Sequence, residues 1–135
     1  MNVKAPPGKC SAAALEAFRA RSEAIIAETT KRSLQRLDEI VQHGEQAERL
    51  IRAGLGFTTR MLDATMFVGE MSLMTDQLAW SKDRLPHEQV SLSQVVSRLQ
   101  IYRAVVLEML EPGFAAEVVG YLDWMIATLN AMLER

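Results

Sequence analysis

The sequence predicts an all-α protein, a globin-like bundle of about five helices, and three observations support the helical class. Glycine is sparse, and only four prolines occur in 135 residues. No stretch alternates apolar and polar residues for long enough to form a strand. Several long segments instead repeat apolar residues at the 3.6-residue period of an α-helix. These patterns favour packed helices over any fold built on a sheet.

The chain is expected to form one domain after a short arm. Residues 1–10, which include the Pro-Pro-Gly sequence at 6–8, predict a flexible N-terminal arm. Residues 11–135 are predicted to form a single helical domain. With 49% apolar residues, a chain of this length can bury a core without disulfides or structural metals.

Charge and targeting signals argue against several classes of protein. A net charge of −2 does not suit a nucleic-acid partner, which needs a clustered basic face. Cys10 is the one cysteine, so no intrachain disulfide can form, as is typical of a reducing compartment. The N-terminus has no apolar signal-peptide core, and no apolar run reaches the ~18 residues needed to cross a bilayer. We expect a cytoplasmic protein without a membrane segment.

The first helix is predicted from about Ser11 to His43, where Gly44 can end it. Its inward face follows from helical spacing and comprises Leu15, Phe18, Ser22, Ile25, Ile26, Thr29, Leu37, Ile40 and Val41.

A second segment is predicted to begin near Glu45. It turns Leu50 and Ile51 inward and is loosened by Gly54 and Gly56, because glycine lowers helix propensity.

A long helix is then predicted from about Phe57 to Lys82, and it includes the methionine-rich stretch 61–80. On this helix Asp63, Glu70 and Gln77, spaced seven apart, form one polar strip with apolar residues on both sides. A helix with two apolar faces is usually buried on both. Its methionines suit three roles: core filler, an adaptable surface for a partner or apolar ligand, or haem or copper ligation.

The fourth helix has the clearest start signal in the sequence. Pro86 prevents the preceding helix from continuing. Ser91 and Gln94 then form the S-x-x-Q pattern of a capping box. The helix is predicted to run to about Glu111, where Pro112-Gly113 breaks it.

The last helix is predicted to begin near Phe114 and to continue to Arg135 without a stop signal, as expected of a rod that leads to a further domain. Its predicted core face comprises Phe114, Val118, Tyr121, Leu122, Met125, Leu129 and Met132.

Surplus apolar faces predict a helical homodimer. Opposite the core face of the last helix, Gly120, Trp124, Ala127 and Ala131 follow a 4-3-4 spacing that suits close helix–helix contact. In the preceding helix, Ile101 and Val105 lie outside the main apolar face of Val95, Val96, Leu99, Tyr102, Val106 and Leu110. The alternative is that these extra apolar residues cover contacts within one tightly packed chain.

The sequence offers no recognisable catalytic or metal-binding pattern, so we expect neither an enzyme nor a cofactor. The Glu-x-x-His motifs of a di-iron bundle are absent, and one cysteine with two histidines lacks zinc spacing. His43 and His87 suit a helix end and a loop. Asp63 and Glu70 would lie about 10 Å apart along one helix, too far to act as an acid–base pair by themselves.

The second half of the chain resembles a known family of signalling domains. The residues that carry the resemblance are LAWSKDRLPHEQVSLSQVVSRLQIYRAVVLEML followed by AAEVVGYLDWMIATL. A basic loop, a capped S-L-S-Q-V-V start, an I-Y-R centre and a final helix look like the N-terminal domain of RsbR-type stressosome proteins. The resemblance covers residues 45–135, and the first helix only by position.

The resemblance implies a globin-like, non-haem sensor domain that pairs as a dimer in the bacterial stressosome. Its last helix would lead to a STAS domain outside this chain, which is phosphorylated by an RsbT-like kinase and assembles with an RsbS-like STAS protein. The implied function is a regulatory input that passes a stress signal through the last helix and controls kinase release.

Two other functions fit the sequence. One is a small-molecule sensor for haem, a tetrapyrrole or a lipid, with a pocket lined by Met66, Met71, Met74 and Trp80. The other is a stand-alone helical adaptor without an output domain.

Overall fold

The computed structural model describes residues 8–36, 44–84 and 91–133, and gives only the backbone of 81–84. In these ranges the regular secondary structure is helical and no strand occurs, so the all-α prediction is confirmed. The elements are α1 (Ala12–Ser33), a short 3₁₀ helix (Gly44–Gln46), α2 (Ala47–Val68), α3 (Ser72–Arg84), α4 (Leu92–Met109) and α5 (Pro112–Leu133).

Helix α1 lies at the centre of the bundle and packs against α2, α4 and α5. Helices α4 and α5 also pack extensively against each other, and α3 contacts α2 and α5. One continuous apolar core fills the space between these elements. Phe18 and Ile25 of α1 are fully buried in it, as expected of a helix covered on several sides.

The helical periodicity identified most of this core correctly. On α4 and α5, the predicted inward residues that are buried are Val96, Leu99, Tyr102, Val106, Leu110, Val118, Tyr121, Leu122, Met125 and Leu129. Val95, Phe114 and Met132 are half-buried and pack against the same core. On α1 the buried members are Leu15, Phe18, Ile25, Ile26 and Thr29.

The predicted extent of the first helix is wrong, because α1 ends at Ser33. The Leu34 N–H still donates to the Thr30 carbonyl, but the Gln35 and Arg36 N–H groups donate only three residues back. Such bonds tighten the end of a helix and stop its propagation. The chain has no glycine or proline here, so the sequence did not signal the end. The predicted residues from 37 to 43, including His43, lie outside the described residues.

The predicted weak point at Gly54 and Gly56 is also wrong, because α2 is continuous through both glycines. Ile51, Leu55 and Leu62 are buried on one face of this helix. Burial of that face outweighs the helix cost of about 1 kcal/mol per glycine. Leu50, which was expected to point inward, is 39% exposed.

The long helix predicted over 57–82 is divided at Gly69. This glycine has φ +77 and its N–H donates to the Thr65 carbonyl at 2.7 Å, which ends α2 in a left-handed cap. Lys9 packs so closely that a Cβ at Gly69 would lie 2.7 Å from the Lys9 Cβ. The polar strip of residues spaced seven apart is therefore interrupted: Asp63 lies on α2, Glu70 lies between the helices, and Gln77 lies on α3.

Residues 8–10, which the sequence placed in the flexible arm, pack against the bundle. Cys10 is buried, and its N–H donates to the Met66 carbonyl at 3.4 Å. The Tyr121 hydroxyl donates to the Gly8 carbonyl. This segment is thereby held against both α2 and α5.

The start of α4 confirms the predicted cap, and the break before α5 needs correction. Ser91 Oγ accepts from the Gln94 N–H at 3.1 Å, as in the first half of a capping box. Helix α4 then ends at Met109, with Leu110 extended. Pro112 does not merely end the helix before it, because it is the first residue of α5. Proline is tolerated there, since the first turn of a helix makes no internal hydrogen bond from the backbone N–H that proline lacks.

Ion pairs at the surface connect neighbouring helices. They are Arg19–Asp63 between α1 and α2 (2.7 Å), Arg32–Glu108 between α1 and α4 (2.7 Å) and Arg103–Asp123 between α4 and α5 (2.6 Å). The Arg32 guanidinium lowers the pKa of the Glu108 carboxyl through a hydrogen bond. These pairs face water, so they set helix register more than they stabilise the fold.

The left-handed cap at Gly69 makes this position intolerant of a side chain. We expect Gly69→Ala to lower the free energy of unfolding by about 1–2 kcal/mol, because it combines a positive φ with a close contact to Lys9. Urea unfolding followed by circular dichroism measures the change. Gly113→Ala is the matched control, because nothing lies within 4 Å of its added Cβ. Equal stability of the two variants would show that Gly69 is not under this constraint.

Because of the buried phenol of Tyr102, we expect the free energy of unfolding to fall at alkaline pH. Burial raises the pKa of this phenol above its ordinary value of 10.0, and its hydroxyl lies 2.8 Å from Thr59 Oγ1. The unfolded chain ionises first, so the stabilisation is present below about pH 10 and is lost as the pH rises toward the folded pKa. Denaturant midpoints measured from about pH 8 to about pH 11 should therefore fall.

Tyr102→Phe provides the comparison for this pH profile. At neutral pH we expect it to lose about 1 kcal/mol with the hydrogen bond to Thr59. Above about pH 10 its stability should fall less steeply than that of the unmodified chain. If the stability of both chains falls equally with pH, groups other than Tyr102 cause the loss of stability at alkaline pH.

Candidate functional site

An apolar cavity of about 320 Å³ lies between α2, α3, the start of α4 and the second half of α5. This volume is within the usual range for small-molecule sites in proteins. The described residues that line it are Leu50, Ala53, Gly54, Leu55, Phe57, Thr58, Met61, Leu78, Trp80, Leu92, Val95, Arg98, Leu99, Met125 and Leu129.

One stripe of α2 forms a large part of the cavity wall. Leu50, Gly54, Phe57 and Met61 follow a 4-3-4 spacing and therefore share one side of the helix. The adjacent face, with Ile51, is buried in the core. At the middle of the stripe, Gly54 faces the Arg98 side chain.

Arg98 gives this cavity a charge. Among the described lining residues, it alone has an ionisable side chain, and only 6% of it is exposed. Its Nη1 atom lies 3.5 Å from the position that a Cβ would occupy at Gly54.

The edge of the cavity is apolar as well. Leu50 is 39% exposed, Phe57 38% and Trp80 54%, and all three also line the cavity. Clustered apolar side chains at a surface indicate a site of contact with an apolar molecule.

The four residues of the predicted ligand pocket do not lie together around this cavity. Trp80 lines the cavity, whereas Met66, Met71 and Met74 do not. These three methionines are buried in the core instead: Met66 lies on α2, Met74 on α3, and Met71 in the turn between the two helices. The methionines that reach the cavity are Met61 and Met125.

Sequence reasoning missed Gly54 and Arg98 as site residues. The 4-3-4 stripe that contains Gly54 was a usable signal, because the same spacing identified the outer face of the last helix. Arg98 lies on a helix among apolar residues, and the sequence has no marker that distinguishes a buried arginine from a solvated one.

The predicted dimer residues of α5 lie together on its outer side. Gly120, Trp124, Ala127 and Ala131 are each partly exposed, and nothing lies within 4 Å of a Cβ added at Gly120. We call these four residues the α5 outer strip. Trp124 also packs against the core, and open space lies in front of Gly120.

The two predicted residues of α4 behave differently from each other. Ile101 is half-buried and packs against the core. Val105 has no exposed surface, so its selection as a residue for contact with a second copy is wrong. Its burial follows from the position of α4, which is covered by both α1 and α5.

Helix α5 connects the cavity to the outer strip. Met125 and Leu129 line the cavity from the inner side of this helix. Trp124, Ala127 and Ala131 occupy the same turns on the other side. A change in the contents of the cavity and a change at the outer strip therefore act on one rigid element.

The acidic residues of the methionine-rich stretch have separate partners. Asp63 accepts from Arg19 Nε at 2.7 Å and from Arg19 Nη2 at 2.8 Å. Glu70 Oε1 accepts from the Ser72 N–H at 3.3 Å, at the start of α3. The helix break at Gly69 separates them, so they form no acid–base pair.

The described residues contain no group of three or more His, Cys, Asp or Glu residues placed to hold a metal ion. No helix in the described ranges is both long and apolar enough to cross a membrane. His43 and His87 lie outside these ranges.

No protein-family model matches the chain, and a search of curated proteins gives no match either. The resemblance to RsbR-type domains therefore rests only on the residues of the second half of the chain.

Proposed function

We propose that this chain is a regulatory sensory input domain, similar to the globin-like, non-haem N-terminal domain of RsbR-type stressosome proteins, and that it acts as a homodimer. The observation that carries the proposal is the double role of α5. Met125 and Leu129 on its inner side line the cavity, and Ala127 and Ala131 on its outer side remain available to a second copy.

The proposed mechanism is a small movement of α5. A signal that changes the packing around Met125 and Leu129 favours one position of the helix over another. In a dimer, the paired outer strips convert this movement into a change in the spacing of the two α5 helices. Small residues suit this contact, since they let two backbones approach closely and slide.

The output follows from the resemblance. Helix α5 would lead to a STAS domain outside this chain, which assembles with an RsbS-like STAS protein and controls release of an RsbT-like kinase. The position of α5 would bias that release. In this role the domain is a cytoplasmic signalling module and not an enzyme.

A second candidate function is a small-molecule-binding sensor, and the cavity favours it. Its volume of about 320 Å³ and its apolar lining suit an organic ligand. This function is compatible with the first, because the ligand would be the signal.

The proposed dimer contact at the α5 outer strip can be tested by substitution. We expect Ala127→Glu to weaken the dimer roughly a hundredfold, because a two-fold contact would bury an unpaired carboxylate from each copy. Light scattering after gel filtration would show a monomer where the unmodified chain is a dimer. Circular dichroism should remain that of a folded helical protein, since Ala127 is partly exposed in one chain.

Ala24→Glu is the matched control for this experiment. It introduces the same carboxylate at an exposed alanine of α1, and we expect it to leave the dimer intact. If Ala127→Glu also leaves the mass unchanged, the outer strip is not the dimer contact. A monomeric unmodified chain at high concentration would reject the homodimer itself.

A further inference from the structure

We propose that the cavity binds an uncharged aromatic compound of about two fused rings, held by the aromatic and methionine side chains of its wall. The inference names the ligand class of the proposed small-molecule sensor, and it rests on that function for its biological role. Three features of the cavity carry it: the volume, the polar groups of the wall, and the kind of apolar side chain that the wall contains.

The volume of the cavity sets the size of the ligand. An apolar protein cavity of about 150 Å³ is large enough to bind one benzene ring. The cavity of this chain, at about 320 Å³, is about twice as large and therefore has room for a molecule of two fused rings. A haem or another tetrapyrrole contains four linked rings, so the volume argues against such a ligand.

The polar groups of the wall favour a ligand without charge. Arg98 is the one ionisable side chain among the described lining residues, and it already has an interaction partner in the chain. Thr58 Oγ1 donates to the Gly54 carbonyl at 3.0 Å. A charged ligand would therefore give up its water without gaining an uncompensated partner, and this loss costs free energy.

Aromatic rings and methionine thioethers reach the wall from three helices. Phe57 and Met61 lie about one turn apart on α2, Trp80 comes from α3, and Met125 comes from α5. An aromatic ligand makes edge-to-face or offset contacts with rings and favourable contacts with sulfur. A saturated molecule of the same shape lacks these contacts, so the wall distinguishes an aromatic compound from an alkane.

The exposed edge of the cavity gives the ligand a route of entry. Leu50, Phe57 and Trp80 line the cavity and are also partly open to solvent. A flat apolar molecule can therefore first contact this edge and then move inward without crossing a polar surface.

The occupied cavity would act on α5. Met125 and Leu129 are part of its wall, so a ligand in the cavity packs against the inner side of that helix. Through this contact a ligand with no contact to the outer strip changes the position of α5.

The first experiment compares naphthalene with decalin, which has the same two fused six-membered rings without the π-system. Headspace gas chromatography above solutions with and without the protein measures how much of each volatile probe is bound. Each affinity is divided by the probe's partition coefficient from water into cyclohexane, which removes the difference in hydrophobicity. We expect saturable binding of one naphthalene per chain, with a corrected affinity about tenfold above that of decalin.

Further probes test the size and the charge of the ligand. The corrected affinity should rise from benzene to naphthalene, as the cavity fills, and should fall for the four fused rings of pyrene. Equilibrium dialysis of 2-naphthoate and of 2-naphthylmethylammonium should show at least tenfold weaker binding than that of neutral naphthalene. Pyrene that binds as tightly as naphthalene would overturn the size limit, and an equally tight charged probe would overturn the requirement for a neutral ligand.

Conservative substitutions test the role of the aromatic and methionine side chains. Phe57→Leu and Met61→Leu should each lower the corrected preference for naphthalene over decalin severalfold, while decalin binding stays within a fewfold of its original value. A loss of fold would weaken both probes together. Phe67→Leu and Met109→Leu are the matched controls, because both residues lie outside the cavity lining, and they should leave the preference unchanged.

A larger side chain in the wall tests the position of the site. Val95→Phe should weaken naphthalene at least tenfold, because the added ring occupies the cavity that Val95 lines. Val68→Phe is the matched control, since Val68 is 57% exposed and lies outside the lining. If Val95→Phe fails to fold, the Phe57→Leu comparison still decides the assignment.

Two results would overturn the proposal directly. Equal corrected affinities for naphthalene and decalin in the unmodified chain would overturn the aromatic class of ligand. An absence of saturable naphthalene binding, or undiminished binding by a folded Val95→Phe chain, would overturn the cavity as the site.

These outcomes are distinguishable from failure of the sensory proposal. Binding of the probes needs no second copy, whereas the dimer is measured by mass. A chain that binds naphthalene but remains monomeric would retain the ligand site and lose the proposed dimer relay. A dimer that binds no probe would retain the relay and lose the ligand class.

Discussion

The burial of α1 is the constraint on which the rest of the bundle depends. Phe18 and Ile25 are fully buried, and α2, α4 and α5 each contact this helix. A helix covered from three directions fixes the positions of its neighbours, since each must present an apolar face to it. The ion pairs from Arg19 to Asp63 and from Arg32 to Glu108 then fix register at the surface, where their own contribution to stability is small. The cavity lies where α2 turns a second face away from α1.

The left-handed cap at Gly69 determines where α3 runs. A continuous helix through this point would carry the residues after Val68 straight onward. The cap instead redirects the chain, so that α3 contacts α2 and α5 and supplies Leu78 and Trp80 to the cavity wall. The same glycine accommodates Lys9, and the segment 8–10 is held against α2 through the hydrogen bond from Cys10 to Met66. One permissive residue thus positions the segment 8–10 and one side of the cavity.

Helix α5 gives the molecule its proposed function because its two sides are used differently. The inner side belongs to the core and the cavity, and the outer strip has small residues with space in front of Gly120. Periodicity could identify the core face and the outer strip, because both are repeats along one helix. It could not assign Val105 to the core, since two neighbouring helices cover that position.

The sequence by itself determined the helical class, most of the buried face of α1, α4 and α5, and the cap at Ser91, because these depend on local spacing and local hydrogen bonds. Only the tertiary structure decided where α1 ends, that α2 continues through Gly54 and that the methionine-rich stretch breaks at Gly69. At each point the local signal was weak or absent, and packing against other helices supplied the deciding free energy. The cavity is likewise a tertiary property. Its walls come from four helices, so no single segment of sequence could show that Gly54 and Arg98 lie side by side.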